Sequence, residues 1–175
     1  EVGGDYYDVL PCNGRVTIGI GDVTGHGLES GVLMLMVQTA VRTLLTSGET
    51  DPLRFLNILN QTIYQNVLRM QDSRSLSFAM LDYDASGNVR LSGQHEEVLV
   101  LRQNGDLERI DTLDLGFPIG LDEDIADFVQ TYTFTLQPGD GFILYTDGIT
   151  EAENAAGEYY GLERLSNVAL QHWAA

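Results

Sequence analysis

The sequence predicts an α+β domain with mainly antiparallel sheets, and three observations carry that prediction. Segments of period-two hydrophobicity follow one another through short turn sequences, which is how hairpin-connected strands read. A pair of helical segments interrupts them once, and a last amphipathic segment closes the chain. Strands and helices do not alternate throughout, so a doubly wound parallel sheet is the poorer fit. At 175 residues, with 43% hydrophobic residues and four prolines, the chain reads as one packed domain over residues 1–175.

Residues 6–10 and 15–20 read as two strands joined through Pro11-Cys12-Asn13-Gly14, with Asn-Gly as the hairpin signal. Residues 28–45 are apolar almost all round, interrupted by Gln38 and Arg42 one turn apart. This pattern predicts a helix covered on most sides, broken at Ser47-Gly48-Glu49-Thr50. Asp51 as N-cap and Pro52 at the first helical position open a second helix, whose Leu56, Leu59, Ile63 and Val67 make one apolar face. From residue 76 the period returns to two. Strands are predicted at 77–82, 89–92, 98–102, 107–111, 128–136 and 141–146, with turn chemistry at Ser86-Gly87-Asn88, Asn104-Gly105 and Pro138-Gly139-Asp140. Residues 162–173 form the final amphipathic helix, and no internal repeat or low-complexity linker is present.

Charge narrows the function. Twenty-six acidic against nine basic residues give a net charge of −17, a surface that repels nucleic acid and anionic headgroups. There is no lysine, so a P-loop is excluded. Cys12 is alone, which precludes an internal disulfide and points to a reducing, cytoplasmic setting. The longest apolar run, 32–37, falls far short of the roughly 20 residues of a membrane span. The chain shows no signal peptide, opens on a motif without Met and stops inside an apparent helix, and is therefore expected to be a fragment truncated at both ends.

The chemistry centres on Gly19-Ile20-Gly21-Asp22-Val23-Thr24-Gly25-His26-Gly27, where an apolar strand delivers a carboxylate into a glycine-rich loop. Two more aspartates occupy similar settings: Asp5, after Gly3-Gly4 and before an alternating segment, and Asp147, between an apolar strand and Gly148. Oxygen ligands without Cys or clustered His favour Mg²⁺, Mn²⁺ or Ca²⁺ over Zn²⁺ or Cu²⁺. Turn aspartates beside glycine are common, but the shared strand-aspartate-glycine setting singles these three out.

Other candidates read more simply. Gly19-Ile20-Gly21 begins a dinucleotide fingerprint, yet Thr24 replaces its third glycine and Asp22 would face the pyrophosphate. Residues 82–88 resemble half of an EF-hand loop, but Gly93 stands where a bidentate Glu is required, so a polar hairpin turn is expected. Asp122, Glu123, Asp124 and Asp127 make a solvated acidic loop. His26, His95 and His172 are too scattered for a metal triad. His26 either meets substrate or braces its loop, and Ser30 has no paired base in sequence.

At these residues the chain resembles the bacterial SpoIIE/RsbU branch of the PPM, or PP2C-like, metal-dependent protein phosphatases. The matching segments are VGGDYYD at 2–8, GDVTGHG at 21–27, LGFPIG at 115–120 and YTDGITEA at 145–152, in the family's order. The resemblance implies an αββα sandwich, two antiparallel sheets flanked by helices, with two Mn²⁺ or Mg²⁺ ions. By similarity Asp22 bridges both ions, the Val23 carbonyl joins the first, Asp147 binds the second, and Asp5 ligates or orders metal-bound water.

The implied activity is serine/threonine phosphoprotein phosphatase, with a metal-activated water attacking phosphorus and no phosphoenzyme. The implied substrate is a phosphorylated anti-anti-sigma (STAS) protein, with sensor, receiver or coiled-coil modules upstream in a signalling protein and room for a homodimer. The helices within 28–70 resemble the branch's regulatory pair. Two departures stand out. The family's closing Asp-Asp-x-Thr segment does not occur before Ala175, and Thr24 occupies the position at which PP2C relatives carry a general-acid histidine, so no general acid is assigned. A non-catalytic PP2C-like regulatory module is the alternative. A Ca²⁺-binding structural domain is a third reading.

Overall fold

The structure is a computed structural model that describes residues 3–12 and 14–173. Val2 of the first motif, Asn13 of the first turn, the side chain of Cys12, and Ala174 and Ala175 lie outside the described residues. The chain forms two compact units: Glu1–His95 with Thr112–Phe134, and Glu96–Asp111 with Thr135–Ala175.

The first unit carries a five-stranded sheet in the order β1-β2-β3-β4-β7, where β1 is Tyr6–Cys12, β2 Arg15–Val23, β3 Leu76–Asp84, β4 Asn88–Gln94 and β7 Thr131–Thr135. The β1–β2, β2–β3 and β3–β4 pairs are antiparallel. β1 and β2 form the expected hairpin, with Cys12 opposite Arg15. Between β2 and β3 the chain inserts α1 (Leu28–Thr46) and α2 (Pro52–Met70). Asp51 caps α2 by accepting a 2.8 Å bond from the Arg54 amide, with Pro52 in the first turn.

One face of this sheet, bearing Tyr6, Val23, Leu76, Phe78 and Met80, packs with Leu33, Val37, Val41 and Leu44 of α1 and Phe55, Leu59, Ile63 and Val67 of α2 in one core. Alternation along the strands puts Asp22, Ser77 and Ala79 on the other face. By length and hydropathy α1 could cross a membrane. Its inner face instead lies in this core, and Arg42 forms a bidentate ion pair with Asp8 of β1 at 2.8 and 3.0 Å. Cover on most sides of α1, expected from its composition, is not met on the outer face. Leu28 and Leu35 are exposed, and a groove of about 560 Å³ runs between Leu35 and Ile58.

The LGFPIG segment is tied into this unit from two directions. Leu76 and Ile119 exchange backbone bonds at 3.0 and 2.8 Å. Asn60 of α2, fully buried, accepts from the Gly120 amide at 2.9 Å and donates to the Asp122 and Glu123 carbonyls at 2.9 and 3.2 Å. Replacing Asn60 by Ala strands those backbone groups away from water, and each orphan costs about 1–3 kcal/mol. Urea titration of Asn60→Ala is expected to show a loss of about 3 kcal/mol with an unchanged m-value.

The second unit holds a three-stranded sheet, β6-β5-β8, from β5 (Val98–Leu101), β6 (Leu107–Ile110) and β8 (Gly141–Ile143), with both pairs antiparallel. It also holds a short helical turn, α3 (Asp147–Thr150), and α4 (Leu162–Trp173), whose Leu165 joins Leu99 and Tyr145 in a small core. The Trp173 indole donates to the Gly139 carbonyl at 3.1 Å, and Arg102 links Glu108 and Asp140.

The α+β class read from the sequence is the one found, two antiparallel sheets with helices. Two strands are shorter than expected by three residues or more. Phe128 ends a 3-10 turn and packs on Phe117, so the strand predicted from 128 begins at Thr131; the strand predicted to 146 ends at Ile143.

Candidate metal centre

Asp22 lies one residue before the end of β2, and its position on the sheet follows from the register. Tyr6 pairs with Gly21, so one further step sets Asp5 opposite Asp22. On the other side Asp22 pairs with Ser77 of β3. Directly opposed residues share a face, so Asp5 and Asp22 emerge together, away from the helices.

Gly4 makes this approach close. Its carbonyl accepts from the Val23 amide at 3.4 Å, and a Cβ on Gly4 would stand 2.9 Å from the Val23 carbonyl oxygen. Asp5, Asp22 and that carbonyl are thereby gathered at one end of the β1–β2 pair. Two carboxylates and a backbone carbonyl are a hard oxygen donor set, which fits Mg²⁺ or Mn²⁺.

The loop after Asp22 is pinned by Thr24. Its amide donates to the Ser75 carbonyl at 2.9 Å, and its hydroxyl both donates to that carbonyl and accepts from the Ser75 amide, each at 3.1 Å. Arg74, paired with Asp72 and Glu29, lies beside Gly25 with Nε 3.7 Å from where a Cβ would be. His26 is exposed in this loop, and Ser30 is buried below it in α1 with no hydrogen-bond partner for its hydroxyl.

Asp147 belongs to the second unit and opens α3, its carbonyl accepting from the Glu151 amide at 2.7 Å. Its carboxylate acts on Glu96, whose own carboxyl is held above the ordinary range by burial first, then by Asp147, Glu151 and Glu97. The structure therefore brings Asp5, Asp22 and Val23 together within one unit and places Asp147 in an acidic group of the other. Among the described residues no three His, Cys, Asp or Glu side chains converge closely enough to hold an ion by themselves.

The rejected candidates have structural explanations. Asp84 accepts from the Ser86 and Asn88 amides at 2.9 and 3.1 Å, the polar hairpin turn expected there. Asp82 is buried between Thr17 and Arg90. The sequence reading set His95 aside with the other histidines and did not single out Ser77 or Glu96. His95 Nδ1 bonds the Ser77 hydroxyl at 2.8 Å, and Asp147 acts on Glu96. Counting strand register outward from Asp22 would have found Ser77.

Burial also sets an alkaline limit. In the second unit burial, then Glu96 and Glu97, push the Tyr145 phenol up to about 12, and in the first unit burial followed by Asp8 raises Tyr6, whose hydroxyl has no hydrogen-bond partner. An unfolded tyrosine releases its proton near pH 10, and the folded residues hold theirs longer. Stability is therefore intact below about pH 10 and falls as pH rises through about 12. Urea unfolding between these values is expected to show that fall, and Tyr145→Phe to flatten it.

This arrangement defines a PP2C-like phosphatase fold with a carboxylate centre at a strand end. The profile of the family Stage II sporulation protein E (SpoIIE) matches residues 13–175, and the chain belongs to that family, in its RsbU-type branch. It is 29% identical to the phosphoserine phosphatase RsbU of Bacillus subtilis over 167 residues, 94% of this chain and 48% of that protein. It thus spans about half the length of this curated relative. Among solved structures, the SiaA PP2C domain of Pseudomonas aeruginosa superposes with a TM-score of 0.80 at 20% identity, covering 99% of this chain and 68% of that one. RsbX, solved in complex with magnesium, gives 0.65 at 15% identity over 100% of this chain and 82% of its own.

Proposed function

We propose that residues 1–175 form the single catalytic domain of a Mg²⁺- or Mn²⁺-dependent serine/threonine phosphoprotein phosphatase in a cytoplasmic bacterial signalling protein. The observation that carries this reading is the gathering of Asp5, Asp22 and the Val23 carbonyl at one end of the β1–β2 pair. These groups would hold metal ions within the first unit. Bound there, the ions would lower the pKa of a water and neutralise charge developing on phosphorus.

The chain's own residues do the rest. Gly4 lets β1 approach Val23, and the Thr24–Ser75 bonds keep the loop after Asp22 from drifting. The substrate is a phosphoserine or phosphothreonine on a partner protein of the STAS type, and sensor, receiver or coiled-coil modules upstream supply the signal. Kinship with a phosphoserine phosphatase and the acidic surface, unsuited to nucleic acid, support that assignment.

The test is hydrolysis of p-nitrophenyl phosphate and of a phosphoserine peptide by the full-length protein, with and without Mn²⁺. Activity that disappears with EDTA and returns with Mn²⁺ is expected. A protein that binds Mn²⁺ and hydrolyses neither substrate overturns the reading in favour of a regulatory module.

A further inference from the structure

Proteins hold phosphate groups with the backbone amides of a helix N-terminus and with arginine forks. The N-terminus of α1 offers both. Gly27 stands at its cap position and supplies no side-chain bond, and the first helical bond runs from the Gly31 amide to the Gly27 carbonyl at 3.1 Å. The amides of Leu28, Glu29 and Ser30 precede that bond and have no acceptor inside the helix. With the macrodipole of a 19-residue helix behind them, they favour an anion at this end. The loop in front is open to solvent, with Gly25 and His26 exposed.

A second observation lies at Gly25. Beyond its chain neighbours, a Cβ there would have only Arg74 Nε, at 3.7 Å, and Ser30 Oγ, at 4.0 Å, within 4 Å among the described residues. Both atoms carry a hydrogen to donate. The Ser30 hydroxyl, on a fully buried residue in the first turn of α1, has no partner, an arrangement that costs stability until something fills it. Arg74 is steadied from one side. Its Nη1 donates to Asp72, whose carboxylate also accepts from the Ser73 and Arg74 amides at 2.7 and 3.1 Å. Its Nη2 stands 3.9 Å from the Glu29 carboxylate, too far for a hydrogen bond, and its Nε has no acceptor among the described residues.

We propose that Arg74, Ser30 and the first amides of α1 form a phosphate-binding subsite, which takes the phosphoryl group of a phosphoserine or phosphothreonine or the inorganic phosphate released from it. The space left by the missing Gly25 side chain admits one phosphate oxygen between Arg74 Nε and Ser30 Oγ, and a second oxygen meets the amides. Glu29 competes for Nη2, but its side chain is largely exposed and turns to solvent as the anion enters, while Asp72 keeps the guanidinium in place. The subsite lies three residues beyond Asp22 in the chain, on the loop that Thr24 ties to Ser75, the neighbour of Arg74. It needs no metal, so it goes beyond the phosphatase reading and does not depend on it.

The test is calorimetric titration of the full-length protein in EDTA, at low ionic strength, with inorganic phosphate, a phosphoserine peptide and the unphosphorylated peptide. Millimolar binding of the first two and none of the third is expected. Arg74→Gln should weaken phosphate binding about tenfold or more, and Ser30→Ala about threefold or more. Ser30→Ala also removes an unpaired buried hydroxyl, so its melting midpoint should hold or rise while its phosphate affinity falls, a combination that a purely structural serine does not produce. Glu29→Gln should bind phosphate more tightly. Arg69→Gln removes the same charge from the exposed end of α2 and should bind as wild type does. Tighter binding of the phosphopeptide than of phosphate identifies the substrate as the occupant, and equal or weaker binding identifies released phosphate. A wild type that binds neither overturns the proposal, as do equal losses in Arg74→Gln and Arg69→Gln. If the protein hydrolyses nothing with Mn²⁺ yet binds phosphate through Arg74 in EDTA, the phosphatase reading fails and this site stands.

Discussion

Asp22→Asn is expected to lower Mn²⁺-dependent hydrolysis of p-nitrophenyl phosphate by about 10³-fold or more while the domain stays folded. The replacement is isosteric, so packing and the β1–β2–β3 register are kept. What is lost is the charge that binds a cation on a row where Asp5 is the neighbouring donor. Stabilisation worth several kcal/mol in the transition state then disappears, and about 4 kcal/mol corresponds to that rate. Removing one of two adjacent carboxylates also relieves repulsion in the metal-free protein, so its melting midpoint should hold or rise. Asp122→Asn, in the exposed acidic loop, should leave both rate and Mn²⁺ affinity unchanged. A variant at Asp22 that melts early, or that keeps its Mn²⁺ response, would remove Asp22 from the centre.

Gly93→Ala should produce the largest loss of stability of any single methyl added to the first unit. Gly93 sits in β4 opposite Ala79 with φ of +90°, and a Cβ there would lie 2.3 Å from the Phe78 carbonyl oxygen. Two costs add: the left-handed backbone penalises any Cβ by about 1–2 kcal/mol, and the clash is with backbone, which cannot swing aside. The expected total is about 4 kcal/mol, near the top of what single substitutions do. Gly105→Ala separates the two, because Gly105 has φ of +89° and nothing within 4 Å of its would-be Cβ. That variant should lose only about 1–2 kcal/mol. Urea unfolding of both gives the comparison, and equal losses would show that close approach at Gly93 is unimportant.

What the sequence made legible was local. Asp51-Pro52 announced the start of α2, and Asn13-Gly14 announced the first hairpin, because caps and tight turns depend on residues within one turn of each other. The end of the strand at Ile143 was not legible, since Leu144, Tyr145 and Thr146 continue the apolar run although the chain has left the sheet to begin α3 at Asp147. Phe128 was misread for a similar reason. Its hydrophobicity serves a ring contact with Phe117 in a 3-10 turn, and periodicity alone does not distinguish that from a strand.

The centre divides the same way. Asp22 and Asp5 stood out because each sits beside glycine at a strand end, and the β1–β2 hairpin makes their pairing a short-range matter. Ser77 and His95 did not, because two helices separate β2 from β3 and only the assembled sheet fixes which residue of β3 meets Asp22.

One small group of bonds ties this region together. Asn60 fastens α2 to Gly120, Ile119 is fastened to Leu76 at the head of β3, and Thr24 is fastened to Ser75 one residue earlier. Each link ends within a residue of where the next begins, so none can open alone without stranding a partner. Hydrogen bonds thus run from the inner face of α2 to the backbone around Asp22. The helix that carries Asn60 and the loop that carries Thr24 are thereby both tied, one through Ile119-Gly120 and the other directly, to the Ser75-Leu76 start of β3.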